Sequence, residues 1–291
     1  AAVSYRTGTL GHTTALRTWC RAGDPVLVEK QPHIRISEVY PFAEDCGRLK
    51  PVCYGLDKTH QPSVAELETG LDQSGAKLVC VENTHNFSGG YCIGLKRMQE
   101  IREAADHYQA KIHMDGARVF HAAAAMNCTV EEICSYVDSV MFCISKGLGA
   151  PIGSLLCGSR EFITKARQKR KLFGGVMRQA GVAAAPGIYA LEHNLKRLGE
   201  DIQNAQLTHS LLQGKLKHLR AQEIVQSNIL VLEMGDAQIS AEEFAQRAEA
   251  RGLLVLPLPS MGTIRLVFHL GNQESDAYGA AAIIVAVDND L

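Results

Sequence analysis

The chain has 291 residues, of which 46 % are apolar and 21 % charged, an ordinary composition for a globular protein. Its 30 basic and 31 acidic residues leave a net charge of −1, which argues against nucleic acid or an anionic membrane as a partner, because either normally requires a basic face. The longest apolar stretch, residues 280–287, is far too short to cross a bilayer, and residues 1–11 lack the apolar run of a signal peptide, so we expect a soluble protein.

The nine cysteines are an odd number, form no CxxC pair and lie partly inside apolar runs, as Cys80 does. This pattern indicates reduced core thiols. We therefore expect a reducing compartment, the cytoplasm or the mitochondrial matrix, and no secretion. No histidine or cysteine spacing matches a zinc site, so the sequence predicts no metal.

Short apolar segments alternate with helical patterns through the first two thirds of the chain. The apolar segments predict buried strands over residues 26–29, 77–82, 111–114, 139–144 and 152–157. Helices are predicted to begin after Ser63 and Thr129, each followed three residues later by glutamate, and to cover residues 95–109. Such alternation predicts a mostly parallel sheet sandwiched by helices.

The last third of the chain has a different pattern. Residues 160–171 and 180–222 predict long helices. Strands are predicted over residues 224–234, 253–258 and 263–270, with helices near 241–251 and 274–287. We therefore predict a large α/β domain over residues 1–221 and a small C-terminal α+β domain over residues 222–291.

Two charged residues follow predicted strands directly. Asp115 stands where ligand groups gather in α/β sheets, at the carboxyl end of a strand, although a helix N-cap is the plainer explanation. Lys146 follows an apolar strand and is flanked by Gly147 and Gly149, which suits a Schiff-base nucleophile whose pKa is lowered by partial desolvation. A phosphate-binding loop is the alternative for Lys146, but the GxxxxGK[ST] pattern is absent.

A third candidate is the glycine-rich turn TGTLGH at residues 7–12, which precedes a helical pattern. Backbone N–H groups at such a helix start can hold an anion, although many similar turns are purely structural. A phosphate cradle, an acid at one strand end and a lysine at a later one together suggest pyridoxal 5'-phosphate. The acid would pair with the pyridine nitrogen and keep the ring an electron sink.

Four blocks of sequence carry a family resemblance. They are ENTHN at residues 82–86 with Gly89 and Gly90, HMDGAR at 113–118, SKGLGAPIGS at 145–154 and GGVMRQAG at 174–181. In this order they resemble the signature blocks of the low-specificity L-threonine aldolases. The resemblance runs from about residue 7 to residue 269. It implies a pyridoxal-phosphate enzyme of the aspartate-aminotransferase fold, close to the β-eliminating lyases.

The resemblance assigns roles at the cofactor. It implies that Lys146 forms the Schiff base, that Asp115 pairs with the pyridine nitrogen, and that Gly8 and Thr9 hold the phosphate. His33 matches the histidine that stacks on the cofactor ring, whereas on its own it would be assigned to a surface turn.

The resemblance also assigns roles at the substrate. His85 matches a histidine near the substrate hydroxyl, and Arg118 and Arg265 match arginines that hold the substrate carboxylate. Five of the seven residues 165–171 are basic, which is typical of a solvated helix face, but Lys171 and Arg178 could reach an active site across a dimer interface.

The implied reaction is retro-aldol cleavage of a 3-hydroxy amino acid, L-threonine or L-allo-threonine, to glycine and an aldehyde. His85 would take the hydroxyl proton. The resemblance also implies a homodimer or homotetramer with its active site at the subunit interface. Two alternatives remain: another reaction on the same scaffold, such as β-elimination or racemisation, and a silent truncated member. The alternative of a silent member arises because members of the family carry a segment before the phosphate loop, whereas here the loop begins at residue 7. We therefore expect that segment to be lacking.

Overall fold

The computed structural model describes residues 1–291, which form two compact units. The first unit comprises residues 1–87 and 92–196, and the second comprises residues 88–91 and 197–291. No helix combines the length and the apolarity that a membrane crossing requires.

The first unit is built on a seven-stranded sheet flanked by helices. Its strands are β1 (Ala2–Tyr5), β2 (Pro25–Glu29), β3 (Lys50–Tyr54), β4 (Leu78–Glu82), β5 (Lys111–Asp115), β6 (Ser139–Cys143) and β7 (Ser154–Gly158). Its helices are α1 (Gly8–Trp19), α2 (His33–Ile36), α3 (Val64–Ser74), α4 (Leu95–His107), α5 (Val119–Met126), α6 (Val130–Cys134), α7 (Arg160–Leu172) and α8 (Gly181–His193).

The sheet has the strand order β1-β7-β6-β5-β4-β2-β3. The pairs from β3 through β6 are parallel, whereas β7 is antiparallel to both β6 and β1. The reversal at β7 follows from its connection, because residues 144–153 hold no helix that could carry the chain back for a parallel crossover. The expected α/β fold with a mostly parallel sheet is therefore confirmed.

An apolar layer covers each face of this sheet, so the central strands are buried on both sides. All five residues of β4 are buried, which explains its continuous apolar run. Two strands of this sheet, β1 and β3, were missing from the sequence prediction. Both lie at sheet edges; β1 alternates exposed and buried residues and β3 is mostly exposed, and so neither carries a continuous apolar run.

Helix starts follow the local capping chemistry. The Ser63 side chain accepts a hydrogen bond from the Glu66 backbone N–H, and Thr129 forms a full capping box with Glu132. Both predicted starts are confirmed. A single helix over residues 180–222 was wrong, because α8 ends at His193 and the Asn194 side chain turns away to donate to the Leu148 carbonyl.

The second unit is a smaller α+β arrangement. It contains α9 (Leu198–Leu212), β8 (Arg220–Ala221), β9 (Ile229–Glu233), α10 (Ala241–Glu249), β10 (Leu256–Leu258), β11 (Thr263–Val267) and α11 (Glu274–Asn289). Its four strands form an antiparallel sheet in the order β10-β11-β9-β8. The unit begins earlier than the boundary we placed after residue 221, because Ala205 and Leu212 of α9 pack in the apolar core with Ile284 of α11.

Candidate active site

Three acidic residues end three neighbouring parallel strands of the first unit. Glu29 ends β2, Glu82 ends β4 and Asp115 ends β5, and Glu82 stands directly opposite Asp115 in the strand register. All three side chains are buried. Because parallel strands bring their carboxyl ends to one edge, this edge concentrates negative charge that water does not screen.

Asp115 is held on both of its carboxylate oxygens. Its Oδ1 accepts a hydrogen bond of 3.0 Å from the Ala117 backbone N–H, and its Oδ2 lies 3.2 Å from Nε2 of the buried His12. Burial by itself would raise the pKa of Asp115, but the positive charges of His12 and Lys146 outweigh it and hold that pKa well below its usual range. Asp115 is therefore a carboxylate at neutral pH.

Lys146 follows β6 by three residues and is half-buried. Its charge acts on Asp115, which places the two predicted cofactor residues within electrostatic reach of each other. The neighbouring Gly147 is required by packing, because a Cβ atom there would overlap the imidazole ring of His121. The turn after β6 is thus shaped by close packing directly beside the lysine.

The first turn of α1 lies over the same sheet. Thr7 is the N-cap and its side chain accepts a hydrogen bond from the Leu10 backbone N–H. The N–H groups of Gly8 and Thr9 precede any carbonyl of their own helix that could accept them. Gly11 permits the close approach, since a Cβ there would lie 2.9 Å from the Met141 side chain. The two predicted phosphate residues therefore stand at a helix N-terminus, which favours anions.

The two predicted histidines are anchored by the acids at the strand ends. Glu82 accepts hydrogen bonds of 2.8 Å from the backbone N–H groups of His33 and Asn86. One carboxylate therefore binds the backbone at His33 and the backbone next to His85. His85 Nε2 lies 3.1 Å from Glu29 Oε2. The half-buried His33 ring lies nearly parallel to the Phe87 ring, with centroids 6.2 Å apart.

The electrostatics of His85 follow from these neighbours. Burial would lower the pKa of His85, but the Glu82 and Glu29 carboxylates raise it above its ordinary value. Burial would likewise raise the pKa of Glu29, but its hydrogen bond with His85 lowers that pKa overall. Burial raises the pKa of Glu82, against the opposing effect of His85. His85 is consequently a stronger base than a free imidazole.

The predicted arginines have different settings. Arg118 Nη1 lies 3.3 Å from Asn86 Oδ1, and its buried Nε has no hydrogen-bond partner, which leaves a donor for a ligand carboxylate. Arg265 lies half-buried on β11 of the second unit. Lys171, in the last turn of α7, and Arg178, before α8, are both exposed. Their roles at the site stay predictions.

Three residues of the site were not predicted as functional from the sequence: His12, Glu29 and Glu82. Glu29 and Glu82 each end an apolar strand, which is the signal that singled out Asp115, so the same criterion applied to every strand would have found them. For His12 no comparable signal exists, because its contact with Asp115 joins residues 103 positions apart on a helix and a strand.

The residues at this edge fit pyridoxal phosphate. An amine on Lys146, a buried carboxylate on Asp115 and free N–H groups at the start of α1 supply the three kinds of group that the cofactor needs, for its aldehyde, its ring nitrogen and its phosphate.

Comparisons with known proteins agree with this chemistry. The β-eliminating lyase family model matches residues 1–234 of the chain. The low-specificity L-threonine aldolase 1 of Arabidopsis thaliana is 33 % identical over 288 residues, which cover 96 % of this chain and 80 % of the relative. The chain belongs to the β-eliminating lyase family. Family membership makes it a pyridoxal-phosphate-dependent lyase, as the four sequence blocks predicted.

Solved structures share the fold of this β-eliminating lyase. A threonine aldolase from Leishmania major matches with a TM-score of 0.81 at 18 % identity, over 99 % of this chain and 84 % of the other. An aspartate aminotransferase variant from Thermus thermophilus matches with a TM-score of 0.75 at 13 % identity, over 98 % of this chain and 79 % of the other. The predicted aspartate-aminotransferase-like fold is thereby confirmed.

Proposed function

We propose that the chain cleaves L-threonine or L-allo-threonine to glycine and acetaldehyde. The sequence identity of 33 % with a low-specificity L-threonine aldolase, over 96 % of this chain, supports this substrate class. The observation that carries the proposal is the arrangement at the sheet edge, where a basic histidine backed by carboxylates lies on the same edge as Asp115 and Lys146. Retro-aldol cleavage needs such a base for a hydroxyl proton.

Lys146 and Asp115 act on the cofactor. The Lys146 amine would hold it covalently, and the Asp115 carboxylate, which stays ionised, would pair with its protonated ring nitrogen. When bound, pyridoxal phosphate supplies an electron sink for the electron pair of the Cα–Cβ bond that breaks. The N–H groups of Gly8 and Thr9 would hold its phosphate.

His85 takes the proton from the substrate β-hydroxyl. The ring must be neutral to accept it, and the Glu29 and Glu82 carboxylates then stabilise the positive charge that it gains. Its Nε2 is engaged by Glu29, which fixes the orientation of the ring. General-base assistance of this kind contributes roughly 10²–10⁴-fold to a rate.

Arg118 binds the substrate carboxylate in this proposal, and the role of Arg265, which belongs to the second unit, stays a prediction from the sequence. The planar guanidinium group suits a carboxylate because it can donate two parallel hydrogen bonds. Burial lowers the pKa of Arg118, yet the nearby Cys143, Glu82 and Asp115 oppose that shift. The side chain therefore remains a cation at neutral pH.

We also propose that the protein is a homodimer or a larger homo-oligomer that associates through α8. This helix is apolar nearly all round, and Val182, Ile188 and Tyr189 are 77 %, 56 % and 60 % exposed. Val176 and Met177, which precede the helix, extend the exposed apolar surface. Several large apolar side chains exposed on and next to one helix are typical of an interface between proteins. Arg178 stands beside it, where it could serve the active site of a neighbouring copy.

One experiment tests the cofactor and the reaction separately. The chain is purified with pyridoxal phosphate, its visible absorption is recorded, and acetaldehyde is assayed after addition of each threonine diastereomer. We expect a protein-bound visible band that Lys146→Ala removes, together with acetaldehyde release. Lys165→Ala, an exposed lysine on α7, is the matched control and should keep both.

The possible outcomes separate the alternatives. Absence of the band from the wild-type protein would overturn the cofactor assignment. A normal band with no acetaldehyde, but with 2-oxobutyrate or with the D-isomer of the substrate, would replace cleavage by β-elimination or racemisation. A band with no product of any kind would point to a silent member of the family.

A further inference from the structure

A row of polar side chains joined by an ion pair and by hydrogen bonds runs from Asp115 into the core of the first unit. Asp115 Oδ2 lies 3.2 Å from His12 Nε2, and the other ring nitrogen of His12, Nδ1, lies 3.0 Å from His113 Nε2. His113 Nδ1 then lies 2.9 Å from Ser139 Oγ, which also accepts a hydrogen bond of 2.9 Å from Trp19 Nε1. Four side chains, those of His12, His113, Ser139 and Trp19, thus connect the Asp115 carboxylate to the core.

The row is closed to solvent at its centre. His12 and His113 are fully buried, and Ser139 and Asp115 are 2 % and 4 % exposed. Water therefore cannot supply missing partners, so the ring nitrogens of His12 and His113 must find their partners in Asp115, in Ser139 and in each other. Trp19 sets one direction, because an indole N–H can only donate and Ser139 Oγ must accept it.

With His113 neutral and Asp115 ionised, two proton arrangements satisfy these contacts. In the first, His12 carries protons on both ring nitrogens, donates to Asp115 and to His113 Nε2, and leaves the single His113 proton on Nδ1, where it donates to Ser139. In the second, His12 is neutral with its proton on Nε2, His113 carries its proton on Nε2, and the Ser139 hydroxyl donates to His113 Nδ1. The two arrangements differ by one positive charge.

Charge favours the first arrangement. In the second, the buried Asp115 carboxylate would face a neutral ring, whereas in the first it is paired with a cation at hydrogen-bond distance. Burial would lower the pKa of His12, but Asp115 and Glu38 raise it to about 9. Burial and the charge of His12 lower the pKa of His113 to about 3, which matches a neutral second ring.

We propose that His12 is a positioning residue for the cofactor: as an imidazolium locked by His113, Ser139 and Trp19, it holds the Asp115 carboxylate ionised and in a fixed orientation. This inference rests on the proposed role of Asp115 as the partner of the cofactor's ring nitrogen. The lock matters because a carboxylate with one oxygen on His12 and the other on the Ala117 N–H has little freedom to rotate. In this proposal His12 acts on the cofactor through Asp115.

The protonation of the ring nitrogens of His12 and His113 can be measured by ¹⁵N NMR of the protein labelled with ¹⁵N-histidine, at neutral pH. We expect one buried ring with both nitrogens protonated, coupled through an N–H···N hydrogen bond to a neutral ring whose proton is on Nδ1. A neutral His12, or a proton on His113 Nε2, would overturn the proposal. This measurement needs no variant and no enzymatic activity.

The positioning role is tested by cofactor affinity. His12→Leu removes the donor and the charge, and we expect the dissociation constant of pyridoxal phosphate to rise at least tenfold. His12→Gln keeps a neutral N–H donor and should recover part of that loss, which a purely structural role of the ring would not explain. Thr18→Val removes a hydrogen bond elsewhere on α1 and is the control, expected to leave the constant unchanged.

The two proposals fail in different ways. If the wild-type protein binds the cofactor but releases no acetaldehyde, the proposed reaction is wrong and the role of His12 is still measurable. If His12→Leu folds and binds the cofactor as tightly as the wild-type protein, the positioning role is wrong whatever the activity. If both His12 variants fail to fold, the proton positions in the wild-type protein decide alone.

Discussion

The Nε2 atom of His85 lies 3.1 Å from Oε2 of Glu29, and both side chains are buried. Glu29 is the last residue of β2, and His85 lies in the loop that follows β4. Because β2 and β4 are parallel neighbours, their carboxyl ends lie at the same edge of the sheet. A histidine backed by a carboxylate has a fixed ring orientation and a raised basicity, which is the arrangement that a general base requires.

Removing the charge of Glu29 should weaken this base. In Glu29→Gln the pKa of His85 falls, because one of the three carboxylates that raise it, those of Glu82, Glu29 and Asp115, is gone. The acid limb of the pH profile for kcat should therefore move to lower pH, and the plateau value of kcat should drop by about tenfold, since a less basic ring assists proton removal less. The visible cofactor band should be unchanged.

Glu66→Gln is the matched control, because Glu66 is a glutamate of the same unit that pairs only with exposed Lys30 and the Gly55 backbone. Its pH profile should match that of the wild-type protein. His85→Asn should keep the cofactor band and lower kcat further than Glu29→Gln. An acid limb that stays in place in Glu29→Gln would contradict the assigned partnership.

The paired histidines His12 and His113 predict a stability maximum near pH 6.5. The folded pKa of His12 is about 9 against an ordinary 6.5, so the folded state binds more protons and stability falls as pH rises through this window. The folded pKa of His113 is about 3, so the unfolded state binds more protons and stability falls as pH decreases below 6.5. The low pKa of Asp115 adds to the acid limb below its ordinary value of 3.8.

This dependence is measured by urea unfolding between pH 5 and 9. We expect a loss of up to about 3 kcal/mol across the alkaline limb, which corresponds to the His12 shift at 1.36 kcal/mol per pKa unit. His12→Gln should lack that limb and keep the acid one. A wild-type curve that rises from pH 6.5 to 9 would show that His12 is neutral in the folded protein.

Gly147→Ala should disrupt the turn that carries Lys146. A Cβ atom at this position would overlap the buried His121 ring, and overpacking of this kind typically costs 1–3 kcal/mol. We expect lower thermal stability and weaker cofactor binding, because the displaced turn is next to the lysine. Gly199→Ala meets open space in helix α9 and is the control. A Gly147→Ala protein of wild-type stability would show that the His121 ring moves freely.

Charges on α8 should dissociate the oligomer. Val182→Asp and Ile188→Asp place a carboxylate on an exposed apolar surface, which costs nothing in a free subunit but is unfavourable when the surface is buried. We expect a shift to the monomer in sedimentation experiments. Leu254→Asp is the control, since Leu254 is 79 % exposed and lies in the second unit. A wild-type protein that is already monomeric would exclude the interface.

Much of the fold was predictable from local sequence. The central strands were found because a strand covered on both faces must be apolar throughout, as β4 is. The helix starts at Ser63 and Thr129 were found because capping is chemistry between near neighbours. The edge strands β1 and β3 were missed, since an edge strand needs no continuous apolar run, and the break between α8 and α9 depends on the packing of Asn194 rather than on propensity.

Local patterns in the chain are enough to predict the alternation of strands and helices, and they put Asp115 and Lys146 after strands. The partners of these residues follow from long-range packing alone. The contacts of His12 with Asp115 and of Glu29 with His85 join residues 103 and 56 positions apart, and so leave no periodicity in the chain. Their effect is nevertheless large, because burial removes the water that would otherwise screen each charge, and the pKa values of the site follow from these long-range pairs.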